Sequence, residues 1–293
     1  MDRRLFLKTA GMATLALPFA PRELLAAPGP VVAVAEGRDY RHITREAVKA
    51  LGGMKRFVKP GNVVVIKPNM GWDRNTEQGA NTHPLVVRTL VEEALAAGAK
   101  RVKVFDRTCN DERRCYVNSG IEGALKRMKN VDVKHIEDER FRKVTLNGRF
   151  LPEWELYGEA LSADVYINVP VAKHHGLSKL TLGLKNVMGI MGGKRGDIHK
   201  KIDVALADIN AVFKSHLTVI DATRILTAHG PQGGDLRDVK VLNKVIASTD
   251  VVAADAYATT LFGMRPEDIP VTVAAYRRGI GEMRLEKMKI VKV

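Results

Sequence analysis

From residue 31 onward, short strand-like runs alternate with amphipathic helical ones almost without a break, and few architectures accommodate that rhythm. "VVAVA", "NVVVIKPN", "KRVKVFD", "VDVKHIE", "DVYINVPVAK", "LTVIDAT", "VKVLNKVIAST" and "KMKIVKV" read as strands. "HITREAVKALGGM" reads as a helix closed by Gly52 and Gly53. "THPLVVRTLVEEALAAGA" has Thr82 or His83 as its cap, Pro84 in its first turn, an apolar stripe at Val87, Leu90, Val91 and Ala94, and Gly98 as its stop. "GIEGALKRMKN", "KIDVALADINAVFK", "VVAADAYATTLFG" and "PVTVAAYRRG" supply further helices, and Asn147-Gly148 marks a hairpin insertion near 140–157. No repeat and no long linker divides the chain. The pattern predicts one domain over 28–293, an α/β fold with a parallel or mixed central sheet and helices on both faces. Ligands in such sheets sit at the carboxyl ends of strands. Those ends carry Lys67 and Asn69, Asp106, then Lys173, His174 and His175, and finally Asp221.

The first residues, "MDRRLFLKTAGMATLALPFAPRELLAA", stand apart from that pattern. A charged start, a short apolar run and a small-residue end are the marks of a targeting segment. "RRLFLK" resembles the twin-arginine export signal, with Asp2 where Ser or Thr is commoner. Residues 1–27 are therefore expected to be a signal that engages the twin-arginine machinery and delivers a folded protein to the periplasm or another extracytoplasmic space. Ala26 and Ala27 suit a cleavage site, whereas Leu24 and Leu25 do not, so cleavage and a retained membrane tether both stay open. No later segment reaches the roughly 18 to 20 apolar residues of a membrane span. The formal net charge is +14, and the leader accounts for little of it. Such a field draws anions. For an exported chain, small anions or envelope polyanions are the expected partners, not nucleic acid.

The densest basic run is "KHHGLSKLTLGLKNVMGIMGGKRGDIHKKID", Lys173 to Asp203. Placed on a helix over 177–191, Leu177, Leu180, Leu184, Val187 and Met191 form a core stripe and leave Lys185 and Asn186 to face a cleft. Gly189, Gly192, Gly193 and Gly196 surround Lys194 and Arg195, a composition that lets backbone N–H groups converge on an anion. The spacing is neither a Walker loop nor a dinucleotide fingerprint. His174, His199 and Asp197 are candidate ligands for a divalent metal, although no spacing here is diagnostic. Cys109 and Cys115 are the only cysteines. A disulfide, a pair completed by outside metal ligands and two plain thiols all remain open for them. Two thiols alone cannot hold an intrinsic iron–sulfur cluster.

"VVVIKPNM", "YINVPVAKHHGLSKLTLGLKNVMG", "LTVIDAT" with "GPQGG", and "VVAADAYATTLFG" together resemble the domain of unknown function 362 family over about residues 31–265. The resemblance implies that Lys67, Asn69, Lys173, His175, Lys185, Asn186, Gly189, Asp221 and Asp255 form one shared site, and it implies no reaction. Some relatives carry ferredoxin-like cysteine runs, which this chain lacks.

The leading expectation is a cleft that binds an anionic small molecule or cofactor. Lys67, Lys173 and Lys185 would neutralise it, Asn69 and Asn186 would orient it, Gly189, Gly192, Gly193 and Lys194 would cradle it, and His175, Lys185 and Asp221 would carry metal-assisted or acid/base chemistry. If the chain is an enzyme, redox or acid/base chemistry fits better than nucleophilic hydrolysis, since no G-x-S-x-G elbow is present. The rival expectations are a non-catalytic binder of polyanions or of a partner protein, and an accessory subunit that serves a redox partner's iron–sulfur system.

Overall fold

Strand β1 (Val31–Glu36), helix α1 (Tyr40–Lys49), β2 (Val63–Pro68), α2 (Pro84–Ala96) and β3 (Arg101–Val104) follow one another as the alternation requires. They belong to a computed structural model that describes residues 29–293, so the signal expected at 1–27 lies outside the described residues. Short helices α3 (Glu112–Asn118) and α4 (Ile121–Leu125) lead to β4 (Val131–Val133). A hairpin of β5 (Phe141–Thr145) and β6 (Glu153–Tyr157) ends in α5 (Gly158–Leu161). Next come β7 (Val165–Val169), β8 (Val171–His175), β9 (Lys179–Thr181), α6 (Gly183–Asn186) and α7 (Ile202–Val212). The chain closes with β10 (Leu217–Leu226), β11 (Val239–Ser248), α8 (Val251–Thr260), α9 (Pro270–Arg277) and β12 (Lys289–Lys292).

The sheet is mixed. Its order is β12-β1-β11-β10-β7-β2-β3-β4, with β8 and β9 attached beside β10. β7, β2, β3 and β4 run parallel to one another, while β11 is antiparallel to both β1 and β10. Alternate residues of each strand serve opposite faces. Val64 and Ile66 pack with α1, α2 and α4, whereas Val65 packs with α7, α8, α9 and the hairpin. Helices thus cover both faces, and the fold class is α/β. Among the described residues no helix is long and apolar enough to cross a membrane.

Two local readings need correction. "DVYINVPVAK" is two strands, because Pro170 has no N–H for the ladder and its carbonyl instead accepts from Asp221 N at 2.8 Å. The helix expected over 177–191 is a hairpin followed by a short helix. Lys179 takes φ 63°, and β9 pairs antiparallel with β8, Lys173 opposite Thr181. The turn is tied by His175 Nδ1, which accepts from Leu177 N and Ser178 N at 3.1 and 3.2 Å. Leu177, expected in the core, is 70% exposed. The insertion is the expected hairpin, but its turn is the longer loop 146–152. Arg149, Phe150 and Leu151 donate their N–H groups to the buried Asp208 carboxylate.

Candidate functional site

Where β2, β3 and β8 end, a cavity of about 370 Å³ opens beneath α6 and the loop after it. Lys67 lies at its floor, fully buried at the end of β2. Its Nζ donates to Asn186 Oδ1 at 2.7 Å and sits 2.8 Å from Asp106 Oδ1. Burial pushes the Lys67 pKa down, and Asp106 pulls it back toward the charged form. Asn186 Nδ2 donates to Lys67 O and to Asn168 Oδ1, and Asn168 in turn donates to Gly183 O. This relay locks β2, β7 and α6 together. Asn186 therefore spends its amide on the protein and positions Lys67 instead of orienting a ligand.

Lys173 and His175 are two residues apart on β8, so both face the cavity while His174 faces away. The Lys173 ammonium donates to Asn69 Oδ1 at 3.2 Å and to Ala80 O, and lies 5.5 Å from the centre of the Trp72 ring. Burial lowers its pKa to about 7. Lys185, on α6, is half-buried, and the partner recorded for its ammonium is the Met188 thioether at 3.4 Å. Burial lowers its pKa to about 8. His175 is 6% exposed, and burial followed by the Lys185 charge lowers its pKa to about 3. The ring is thus neutral at physiological pH. Two N–H groups aim at Nδ1, so the proton resides on Nε2, which presents an N–H donor to the cavity. Thr181, 4% exposed, also lines the cavity, and its buried Oγ1 has no partner among the described residues.

Several expected residues sit elsewhere or do other work. Asp221 is not in the cavity. Its Oδ2 accepts from His83 N at 2.6 Å and its Oδ1 from Thr223 N at 2.9 Å, so it anchors the start of α2 to β10. His174 Nδ1 accepts from Gly230 N at 3.1 Å. Among the described residues no three His, Cys, Asp or Glu side chains converge as a metal site, and His174, His199 and Asp197 are not assembled. His199 does line the cavity, its ring stacked at 6.4 Å on that of His175. Gly189 lines it for a steric reason, since a Cβ there would overlap Asp106 Oδ1 and Lys67 Nζ. Gly192 abuts Phe141, while Gly193 and Lys194 border a different depression beside Trp154. Asp255 lies under α6, where its carboxylate accepts from Gly183 N and Leu184 N at 2.7 and 2.8 Å.

Arg107, Trp72 and Thr181 line the cavity although the sequence does not single them out as a site, and Arg195 and Cys109, weighed from the sequence for an anion loop and for a cysteine pair, line it too. The two arginines exchange guanidinium bonds across neighbouring loops. Arg195 donates to Arg107 O and Thr108 O, and Arg107 donates to Met191 O and Gly193 O. Arg195, adjacent to Lys194, was within reach of composition; the partnership with residue 107 was not. Both cysteines are free. Cys109 is exposed at the cavity with Arg195 Nη2 3.4 Å from its sulfur, and Cys115 is buried in the core.

Fold and cavity together define a mixed-sheet α/β protein with a cation-lined pocket at the carboxyl edge of its sheet. The chain belongs to the family described as Domain of unknown function (DUF362), whose profile matches residues 64–260 and so spans Lys67 through Asp255. It is 29% identical over 250 residues to a thylakoid-associated protein of Synechocystis sp., covering 83% of this chain and 76% of that one. A Thermotoga maritima protein of known structure shares the fold at TM-score 0.52 and 14% identity, over 78% of this chain and 60% of that one. The lactate racemase apoprotein of Thermoanaerobacterium thermosaccharolyticum does so at TM-score 0.50 and 10% identity, over 78% and 56%. This chain therefore spans less than two thirds of either structure.

Proposed function

We propose that the protein binds a small organic acid or other oxyanion in this cavity. The observation that carries the reading is the Lys185 ammonium, which lies on the cavity and among the described residues has only the Met188 thioether within hydrogen-bonding distance. A charge withdrawn from water calls for a counter-ion. Lys173 and the His175 Nε2–H supply further donors around the same space. Asp106, the only carboxylate among the described residues that line it, is already engaged by Lys67 and by Met70 N at 2.6 Å. That donor set suits an anion and repels a bare divalent cation. The fold is shared with the lactate racemase apoprotein, and lactate is itself a small carboxylate. "RRLFLK" and a thylakoid-associated relative support an extracytoplasmic address.

A second reading, acid/base catalysis, rests on the two stacked histidines. His199 Nδ1 lies 2.8 Å from Gly196 O, a carbonyl that can only accept, so in the neutral ring the lone pair is on Nε2, while His175 Nε2 carries a proton. One ring would polarise a ligand oxygen and the other would take a proton.

Isothermal titration calorimetry with acetate, lactate and phosphate tests the anion reading. Lys185→Met is expected to weaken binding at least about tenfold, one lost charge-assisted hydrogen bond, while Lys194→Met leaves it unchanged. Equal losses from both variants would indicate a dispersed polyanion surface instead, and no binding at all would end the reading.

A further inference from the structure

Lys67, Lys173 and His175 lie deep in the cavity, whereas its apolar groups lie nearer solvent, alongside the half-buried Lys185, Arg107 and Arg195. Lys173, His175 and Thr181 are buried, whereas Leu177 is 70% exposed and Trp72, Met188 and Pro231 are half-buried on the lining of the same space. At about 370 Å³ the cavity exceeds what an inorganic oxyanion fills and falls within the range of small-molecule pockets, about 300–1,000 Å³. We infer that the ligand is an amphipathic organic oxyanion whose acid head meets Lys173, Lys185 and the His175 N–H, and whose apolar body lies against Trp72, Leu177, Met188 and Pro231. This inference rests on the anion reading above and extends it to a substrate class.

Three observations carry it. Thr181 lines the cavity and its buried Oγ1 has no partner among the described residues, so an unsatisfied hydrogen-bonding group lies at the inner end. Leu177 projects from the β8–β9 turn, which His175 Nδ1 holds in place, so an apolar side chain is held out over the mouth by the same residue that offers a donor inside. The Trp72 indole has the Lys173 ammonium 5.5 Å from its ring centre, so an apolar body resting on Trp72 would bring its acid group within reach of that charge.

The experiment is titration calorimetry of the full chain with two matched pairs, acetate against benzoate and inorganic phosphate against phenyl phosphate. Each aromatic member is expected to bind at least about tenfold more tightly than its parent, the scale set by removing a ring's apolar surface from water. Leu177→Ser, at an exposed position whose substitution leaves the core intact, should reduce that advantage. Trp72→Leu should do the same for the aromatic members. Acetate and phosphate binding without an aromatic advantage overturns this inference and leaves the anion reading standing. An aromatic advantage indifferent to both variants overturns it as well, because the ring then lies elsewhere. No binding by any of the four removes both readings.

Discussion

Gly189 shows how tightly single residues are specified around Lys67. The turn carrying it passes so close to the Lys67–Asp106 pair that a methyl group would displace one partner. Breaking a buried pair strands a charge, which costs about 3–5 kcal/mol. Gly189→Ala is therefore expected to lower stability on that order, read from urea denaturation, and to weaken anion binding with it. The two cysteines permit a cleaner residue-level test, because they differ in surroundings and not in type. Cys109 is exposed on the cavity wall; Cys115 is buried, and burial pushes its pKa up to about 11. Iodoacetamide at neutral pH should modify Cys109 at least about tenfold faster than Cys115, and a bound anion should slow only the former. Peptide mapping by mass spectrometry reads both; equal labelling would contradict the placement of these thiols. The rule that ligands gather at strand ends selects Lys67, Lys173 and His175, which the fold brings to one cavity. It misassigns Asp221, because a strand end says nothing about which backbone N–H groups will compete for a carboxylate, and here His83 and Thr223 do.

Among the elements, the four-residue α6 is short for a helix that must present Lys185 and Asn186, and its start depends on a residue about 70 positions away in sequence. Asp255 of α8 accepts from Gly183 N and Leu184 N, and a Cβ on Gly183 would crowd that same carboxylate. Asp255→Ala leaves two buried N–H groups unpaired and should cost on the order of 3 kcal/mol. Asp255→Asn, which keeps one acceptor oxygen, should recover part of the loss. Chemical denaturation gives both values, and a neutral Asp255→Ala would mean that α6 holds itself. This dependence explains why 177–191 misled. Its apolar residues recur at helical spacing, but the competing interactions, β8 across the hairpin and Asp255 beneath α6, are long-range and leave no mark in the local pattern. The outer elements were legible because each carries its own punctuation. Gly52 and Gly53 follow α1, Pro84 opens α2, and Asp250 caps α8 through Val252 N and Ala253 N.

At the scale of the whole molecule, the formal charge of +14 announces attraction for anions without locating it, and the fold concentrates part of that charge where water is scarce. Folding and binding then place opposite demands on Lys173 and Lys185. Burial lowers their pKa values to about 7 and about 8, so the native state holds fewer protons than the unfolded chain up to the ordinary lysine value near 10.5. Their contribution to stability is accordingly lost as pH falls toward 7–8 and regained as pH rises to about 10.5. A bound oxyanion reverses the preference by stabilising the charged forms. Comparison with Lys185→Met isolates one of these groups from every other titration in the chain. The stability of the wild type relative to Lys185→Met should rise between about pH 8 and pH 10.5, by at most about 1.4 kcal/mol per pH unit. Saturating acetate should raise the onset of that rise. Binding near pH 8 should also take up protons, seen as a calorimetric heat that scales with the ionisation enthalpy of the buffer, and affinity should fall as pH passes 8. A stability difference flat from pH 7 to 10.5, with affinity indifferent to pH, would mean that Lys185 keeps water as its partner and that the cavity holds no charge for an anion to answer.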